Sequence, residues 1–326
     1  MSTLYIDRKD IVLKLDGGAI AFYENGERAG TVPLAPIERI VMSGQVQMST
    51  KVLGALGERG IGLLILSGRK QTPTMMMAKP HNDASRRIAQ YKLSLDEKFC
   101  VSFTQCLLRL KLEGQSQGLK RLRESHLHSR YPLKLSIDTI QNCLDKLDQE
   151  TKIPTLRGLE GSAAASYFRG LSDCLAERLQ FSGRTRLPPQ DPLNVLLSLG
   201  YTLLHAEAVI AIYSAGLDPY IGFYHGLDFG RESLACDLIE PLRPLYDQMA
   251  IEWFKQGQIR VEHFTKNEQS CLLGKAGRTM FYQLFEQNAE QYRQRLTADV
   301  KDLISTVKTY GLDTDDRIQT RGNRDY

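Results

Sequence analysis

The chain has 326 residues, 42% of them apolar and 25% charged, with a net charge of +4. This balance marks a globular protein with length for about two domains, and it excludes disordered and fibrous classes. The charge is too mild to argue for a nucleic-acid partner by itself.

No run approaches the roughly 20 apolar residues a membrane span needs. The N-terminal MSTLYIDRKD lacks the long apolar core of a secretory signal, so a cytoplasmic location without membrane attachment is expected. Cys100, Cys106, Cys143, Cys174, Cys236 and Cys271 form no CxxC pair and read as small apolar fillers in a reducing compartment.

In chain order, Leu4 and Ile6, then Ile11, Leu13 and Leu15, then Ile20 and Phe22 alternate with polar or small residues, the period of half-buried strands. Gly17-Gly18 and Asn25-Gly26 mark tight hairpin turns. Ser49 or Thr50 caps a short helix carrying Val52, Leu53 and Leu56 and ended by Gly60, and IGLLILSG over 61–68 reads as a buried strand. The segment from Gly68, with Met75, Met76 and Met77, reads as a hairpin end followed by a linker, its methionines as packing filler at a domain or subunit contact rather than a ligand box.

Beyond Asp83 and Ser85, apolar residues recur three or four apart, as in Leu193, Leu196, Leu197, Tyr201, Leu204 and Ala208. The fold class is therefore α+β in two domains. Residues 1–78 form a mainly β domain, 79–84 a linker, 85–310 an all-helical domain and 311–326 a flexible, apolar-poor tail. Arg109, Lys111, Lys120, Arg121, Arg123 and Arg130 cluster in the helical part, as a phosphate-facing patch or a solvated helix face.

Three positions bear chemistry. Glu160, in RGLEGSAAASYF, is either a charge favoured by a helix N-terminus or a ligand, and Tyr167 lies two turns on along the same face. His225, between Tyr224 and Gly226, is either a satisfied core histidine or a group free to approach an ion closely; His205, on an apolar helix, reads as structural. Glu240 lies on the stripe Leu234, Leu238, Leu242, Leu245 and Met249, one turn from Asp237, with Pro241 and Pro244 interrupting the helix. Its alternatives are an ion pair with Arg243 or a metal. Two glutamates and one histidine suit Mg²⁺ or Mn²⁺ better than Zn²⁺, and phosphoryl transfer is the reaction class such a site serves.

At these residues the chain resembles the CRISPR adaptation integrase family, the metal-dependent DNA endonuclease of CRISPR systems. The matching text is RGLEGSAAASYF, then DPLNVLLSLGYTLLHAEAVIAIYSAGLDPYIGFYHG, then SLACDLIEPLRPLYD, in the family's order. The resemblance implies Glu160, His225 and Glu240 as ligands of a divalent metal. Asp237 is the reserve, because some members carry Asp where this chain has Glu240. It implies a homodimer through the β domain, two such dimers bridged by a small ferredoxin-like adaptation partner, and two DNA substrates: duplexes with single-stranded 3′ ends, and CRISPR repeat DNA. The reaction implied is attack by a 3′-hydroxyl on a phosphodiester at the repeat boundary, adding spacers for antiviral defence; water as nucleophile gives the nuclease.

Arg86, Arg87, Gln90 and Tyr91 fall where the family has basic and polar residues near DNA. Tyr167 and Arg243 are candidates to orient the ligands or a phosphate, and Lys275 and Arg278 look like further phosphate contacts. A non-catalytic DNA-binding scaffold with a structural metal or ion-pair site is the alternative. A small-molecule metallohydrolase is disfavoured by the basic stretch.

Overall fold

The structure, a computed structural model, describes residues 2–66, 73–76, 84–125, 130–175, 177–185, 188–226, 228–267 and 270–322. Two compact units divide at Asn82 and Asp83. In the first, the alternating apolar residues form strands: β1 (Ser2–Asp7), β2 (Ile11–Asp16), β3 (Ala19–Glu24), β4 (Glu27–Pro33), β5 (Ile37–Ser43) and β6 (Val46–Met48). Helix α1 (Thr50–Glu58), β7 (Gly62–Leu66) and β8 (Pro73–Met76) complete the unit.

The strands make two four-stranded sheets, ordered β1-β5-β7-β8 and β4-β3-β2-β6. In the first, β5 pairs in parallel with β1 and β7, and β8 closes the edge antiparallel to β7. In the second, β2, β3 and β4 form a meander through the two tight turns, with Asn25 and Gly26 both at positive φ. Inward-facing Ile6, Ile11, Leu13, Ile20, Ile40 and Leu63, with Val52 and Leu56 of α1, are one buried core. Met76 packs against this core of its own unit; Met77 and residues 79–83 of the expected linker lie outside the described residues.

The second unit contains α2 (Ala84–Ser94), α3 (Glu97–Ser125), α4 (Arg130–Leu147), α5 (Ile153–Cys174), α6 (Pro192–Ser214), α7 (Ser233–Ile239), α8 (Arg243–Lys255) and α9 (Lys275–Gly322). Helices α3, α4 and α5 pack on one another, and α6 packs against α7, α8 and α9. Asp191 caps α6, its side chain accepting from the Asn194 amide at 2.8 Å.

Three expectations need correction. The second unit is not all helix: β9 (Phe264–Lys266) and β10 (Cys271–Leu273) form a hairpin, with strands of three residues, too short to show a period. The backbone from 311 does not leave the helix, because α9 continues through Gly322 despite the poor apolar content. One helix, α6, is long and apolar enough to cross a membrane by length and composition, although 61% of its most apolar window is buried inside the protein, as in a core helix. All six cysteines are free thiols.

Candidate metal centre

Glu160 stands two turns into α5, beyond the first turn where the helix dipole is felt, which leaves a cation as its natural partner. That cation is Lys111 of α3, whose ammonium donates to Glu160 Oε1 at 2.5 Å and to Glu240 Oε2 at 2.5 Å. Lys111 and Glu240 are both buried, so each charge is stabilised by its partner in a medium where an unpaired ion would be costly.

The two prolines turn the chain at Glu240. Helix α7 passes into a 3-10 turn over Glu240–Leu242, and α8 starts at once with Arg243. Arg243 Nε lies 3.1 Å from Glu240 Oε1, a charge contact whose angle falls short of a hydrogen bond, and the guanidinium sits 4.5 Å over the Tyr201 ring. Burial alone would raise the Glu240 carboxyl, but Arg243 and then Lys111 outweigh it and hold the pKa down at about 2. Glu240 is therefore an anion at any physiological pH.

His225 is held from behind. Asp237, fully buried on α7, accepts from the backbone amides of Phe223 (2.8 Å), Tyr224 (3.1 Å) and His225 (2.9 Å), and pairs with His225 Nδ1 at 2.7 Å. Its two oxygens are thus committed to the loop, which makes Asp237 the anchor of His225, whereas the Glu240 oxygens face the cations Lys111 and Arg243. Gly222 permits the approach: a Cβ there would lie 2.8 Å from Asp237 Oδ2 and 2.8 Å from the Ser233 side chain.

The same loop is fixed from two other sides. Arg157, one turn before Glu160 on α5, donates to the Tyr224 carbonyl at 2.9 Å and lies over the Tyr224 ring. Burial, then Glu160 and Glu240, push the Tyr224 phenol above its ordinary range. Gln90 of α2, fully buried, donates to the carbonyls of Asp218 and Ile221 and accepts from the Asp218 amide, each at 2.8 Å. Arg86 donates to the Ala215 carbonyl at 2.7 Å.

Arg86 and Gln90, expected near DNA, therefore hold the segment leading to His225. Tyr167, expected to orient the ligands or a phosphate, is fully buried on α5. Arg278 donates to the Leu273 carbonyl at 2.9 Å, bracing the β9–β10 hairpin, while Lys275 is exposed at the start of α9. Of the basic cluster, Arg109 pairs with Asp148, Arg121 with Gln248, and Lys111 faces the core, while Arg123 and Arg130 line one pocket. His205 pairs with Glu232 at 3.4 Å, and Glu207 is held by Arg293.

As the side chains stand, no three of His, Cys, Asp and Glu are gathered closely enough to hold a metal ion among the described residues. The donor chemistry nonetheless fits one. A cation, the Lys111 ammonium, already bridges Glu160 and Glu240, and His225 has the Nδ1-to-carboxylate support that orients metal-binding imidazoles and leaves Nε2 as donor. His225 is also near enough to contribute to the low pKa of Glu240.

Residues 4–287 match the family model described as CRISPR associated protein Cas1. The chain belongs to the Cas1 family. It is 39% identical over 310 residues to a CRISPR-associated endonuclease Cas1 of Thermodesulfovibrio yellowstonii, covering 94% of this chain and 97% of that one. The fold matches that of a CAS1 protein from Thermotoga maritima with a TM-score of 0.82 at 21% identity, over 94% of this chain and 97% of the other. A chain of a Cas6-RT-Cas1--Cas2 complex matches with a TM-score of 0.81 at 26% identity, over 94% of this chain but 35% of that longer one. The Cas1 match spans Glu160, His225 and Glu240.

Proposed function

We propose that this Cas1-family chain is a divalent-metal-dependent DNA endonuclease and integrase that inserts captured DNA fragments into a CRISPR array by strand transfer. The observation carrying this is the convergence of Glu160 and Glu240 on one cation position, beside a histidine locked by a buried carboxylate. Glu160, Glu240 and His225 are the metal ligands in this reading, and their hard oxygen donors favour Mg²⁺ or Mn²⁺. When bound, the ion would stabilise charge on the phosphodiester as a Lewis acid and would activate a hydroxyl or water as nucleophile at neutral pH.

The protein's part is positioning. Asp237 fixes the His225 ring, Arg157 ties the His225 loop to the helix carrying Glu160, and Arg243 keeps Glu240 ionised. The nucleophile is the 3′-hydroxyl of the incoming fragment for integration, and water for cleavage. The proposed substrates are duplex DNA with single-stranded 3′ ends and CRISPR repeat DNA, acted on in the cytoplasm. The proposed assembly is a homodimer with a small ferredoxin-like partner; the similarity to a chain of a Cas6-RT-Cas1--Cas2 complex supports such a partner.

A labelled duplex, a repeat-bearing target, the partner protein and Mn²⁺ test this. Glu160→Gln, His225→Ala and Glu240→Gln are each expected to lose at least ~100-fold in strand transfer while DNA binding persists. The pairing of Lys111 with both glutamates favours a second reading, a scaffold whose ion pairs are purely structural. Such a protein binds the DNA and never joins it.

A further inference from the structure

Lys111 lies on a helix stripe where its neighbours are core residues. Thr104, Leu108, Leu112, Gln115 and Leu119 are all buried, and Lys111 is 6% exposed among them. A lysine in such a register loses hydration that only a strong partner restores. It has two partners, contributed by different segments of the chain and bound equally closely.

The charges of the inner cluster already cancel. Glu160 and Glu240 carry two negative charges, and Lys111 and Arg243 carry two positive ones. Each Glu240 oxygen faces one cation, Oε2 toward Lys111 and Oε1 toward Arg243. A divalent ion entering between the carboxylates meets a neutral site and an ammonium in its place.

We infer that Lys111 is the resident counter-cation of this centre, an ammonium that holds Glu160 and Glu240 together in the metal-free protein and that a divalent ion displaces. The inference rests on the metal reading given above. Arg243 does not serve this role, because its guanidinium stacks on Tyr201 and, among the described residues, pairs with Glu240 and not with Glu160. The unbranched lysine stem allows the ammonium to withdraw while α3 stays packed. Metal binding therefore exchanges one cation for another, and its affinity is set partly by Lys111.

The test is isothermal titration of the full chain with Mn²⁺ alone, together with melting in EDTA and in Mn²⁺. Relative to wild type, Lys111→Met is expected to bind Mn²⁺ ~10-fold or more tightly, since a repelling charge is removed from the site. It should also melt lower in EDTA and gain more from Mn²⁺ than wild type does. Lys111→Arg should stay near the wild-type affinity, and Lys111→Gln repeats the test if the Met variant does not fold.

Unchanged or weaker binding by Lys111→Met and Lys111→Gln, with wild-type binding that Glu160→Gln removes, overturns the exchange and leaves the metal reading intact. No Mn²⁺ binding by any of these proteins overturns both.

Discussion

At the residue scale the site depends on Asp237. Four donors point at its two oxygens, and an asparagine in its place would offer one acceptor and turn an NH₂ group toward donors. Asp237→Asn is expected to lower stability by about 2–3 kcal/mol in urea unfolding and to weaken Mn²⁺ binding, because His225 loses its orienting partner. Gly222→Ala acts from the other side of the same carboxylate, with three atoms at 2.8 Å from the new Cβ, and about 1–3 kcal/mol of destabilisation is expected.

His205 carries a pH signature at the same scale. Burial first, and then the positive Arg243, lower its pKa from 6.5 to about 4. A histidine with a depressed folded pKa stabilises the protein above its unfolded value, and that contribution fades as pH falls from 6.5 through 4. The loss is up to about 3 kcal/mol. Unfolding free energies of wild type and His205→Gln, compared from pH 7 to 4, should show this slope in the wild type only. Parallel curves would remove His205 from the explanation.

At the element scale, helix boundaries and joints decide where the proposed ligands point. Asp191→Ala removes the α6 cap and leaves the Asn194 amide without its acceptor, for an expected loss of about 1–2 kcal/mol with Mn²⁺ affinity unchanged. A change in affinity would mean that α6 communicates with the centre. The 3-10 joint at Glu240 was legible from Pro241 and Pro244, since each removes a backbone donor. The β2–β3 and β3–β4 hairpins were legible from alternation and from Gly17-Gly18 and Asn25-Gly26. The β9–β10 hairpin was not, because three-residue strands carry no readable period. Nor was the helical continuation past 311: low apolar content predicts fraying, yet α9 carries on without an interrupting proline.

At the scale of the whole molecule, the division into a strand-rich first unit and a mainly helical second one followed from the change in hydrophobic period near residue 84. The site was legible only in part. Residue chemistry singled out Glu160, His225 and Glu240 one by one, but their joint assignment as ligands came from a resemblance in three blocks of text, since no spacing rule would have joined residues so far apart in the chain. Lys111 was counted with the basic cluster; its place in the buried stripe of Leu108, Leu112 and Leu119 was the signal that it faces inward. Asp237 was weighed as a reserve ligand, because one turn of helix separates it from Glu240 and sequence does not tell which carboxylate faces the loop amides. Their burial and hydrogen bonds do.

The most direct measurement of the central claim is a crystal structure of the full chain grown with Mn²⁺, read by anomalous scattering. A peak between Glu160 and Glu240, with His225 Nε2 and both carboxylates at roughly 2.0–2.6 Å, is the predicted result. A Mn²⁺-saturated crystal that keeps Lys111 bridging the two glutamates, with any anomalous peak elsewhere, would contradict it.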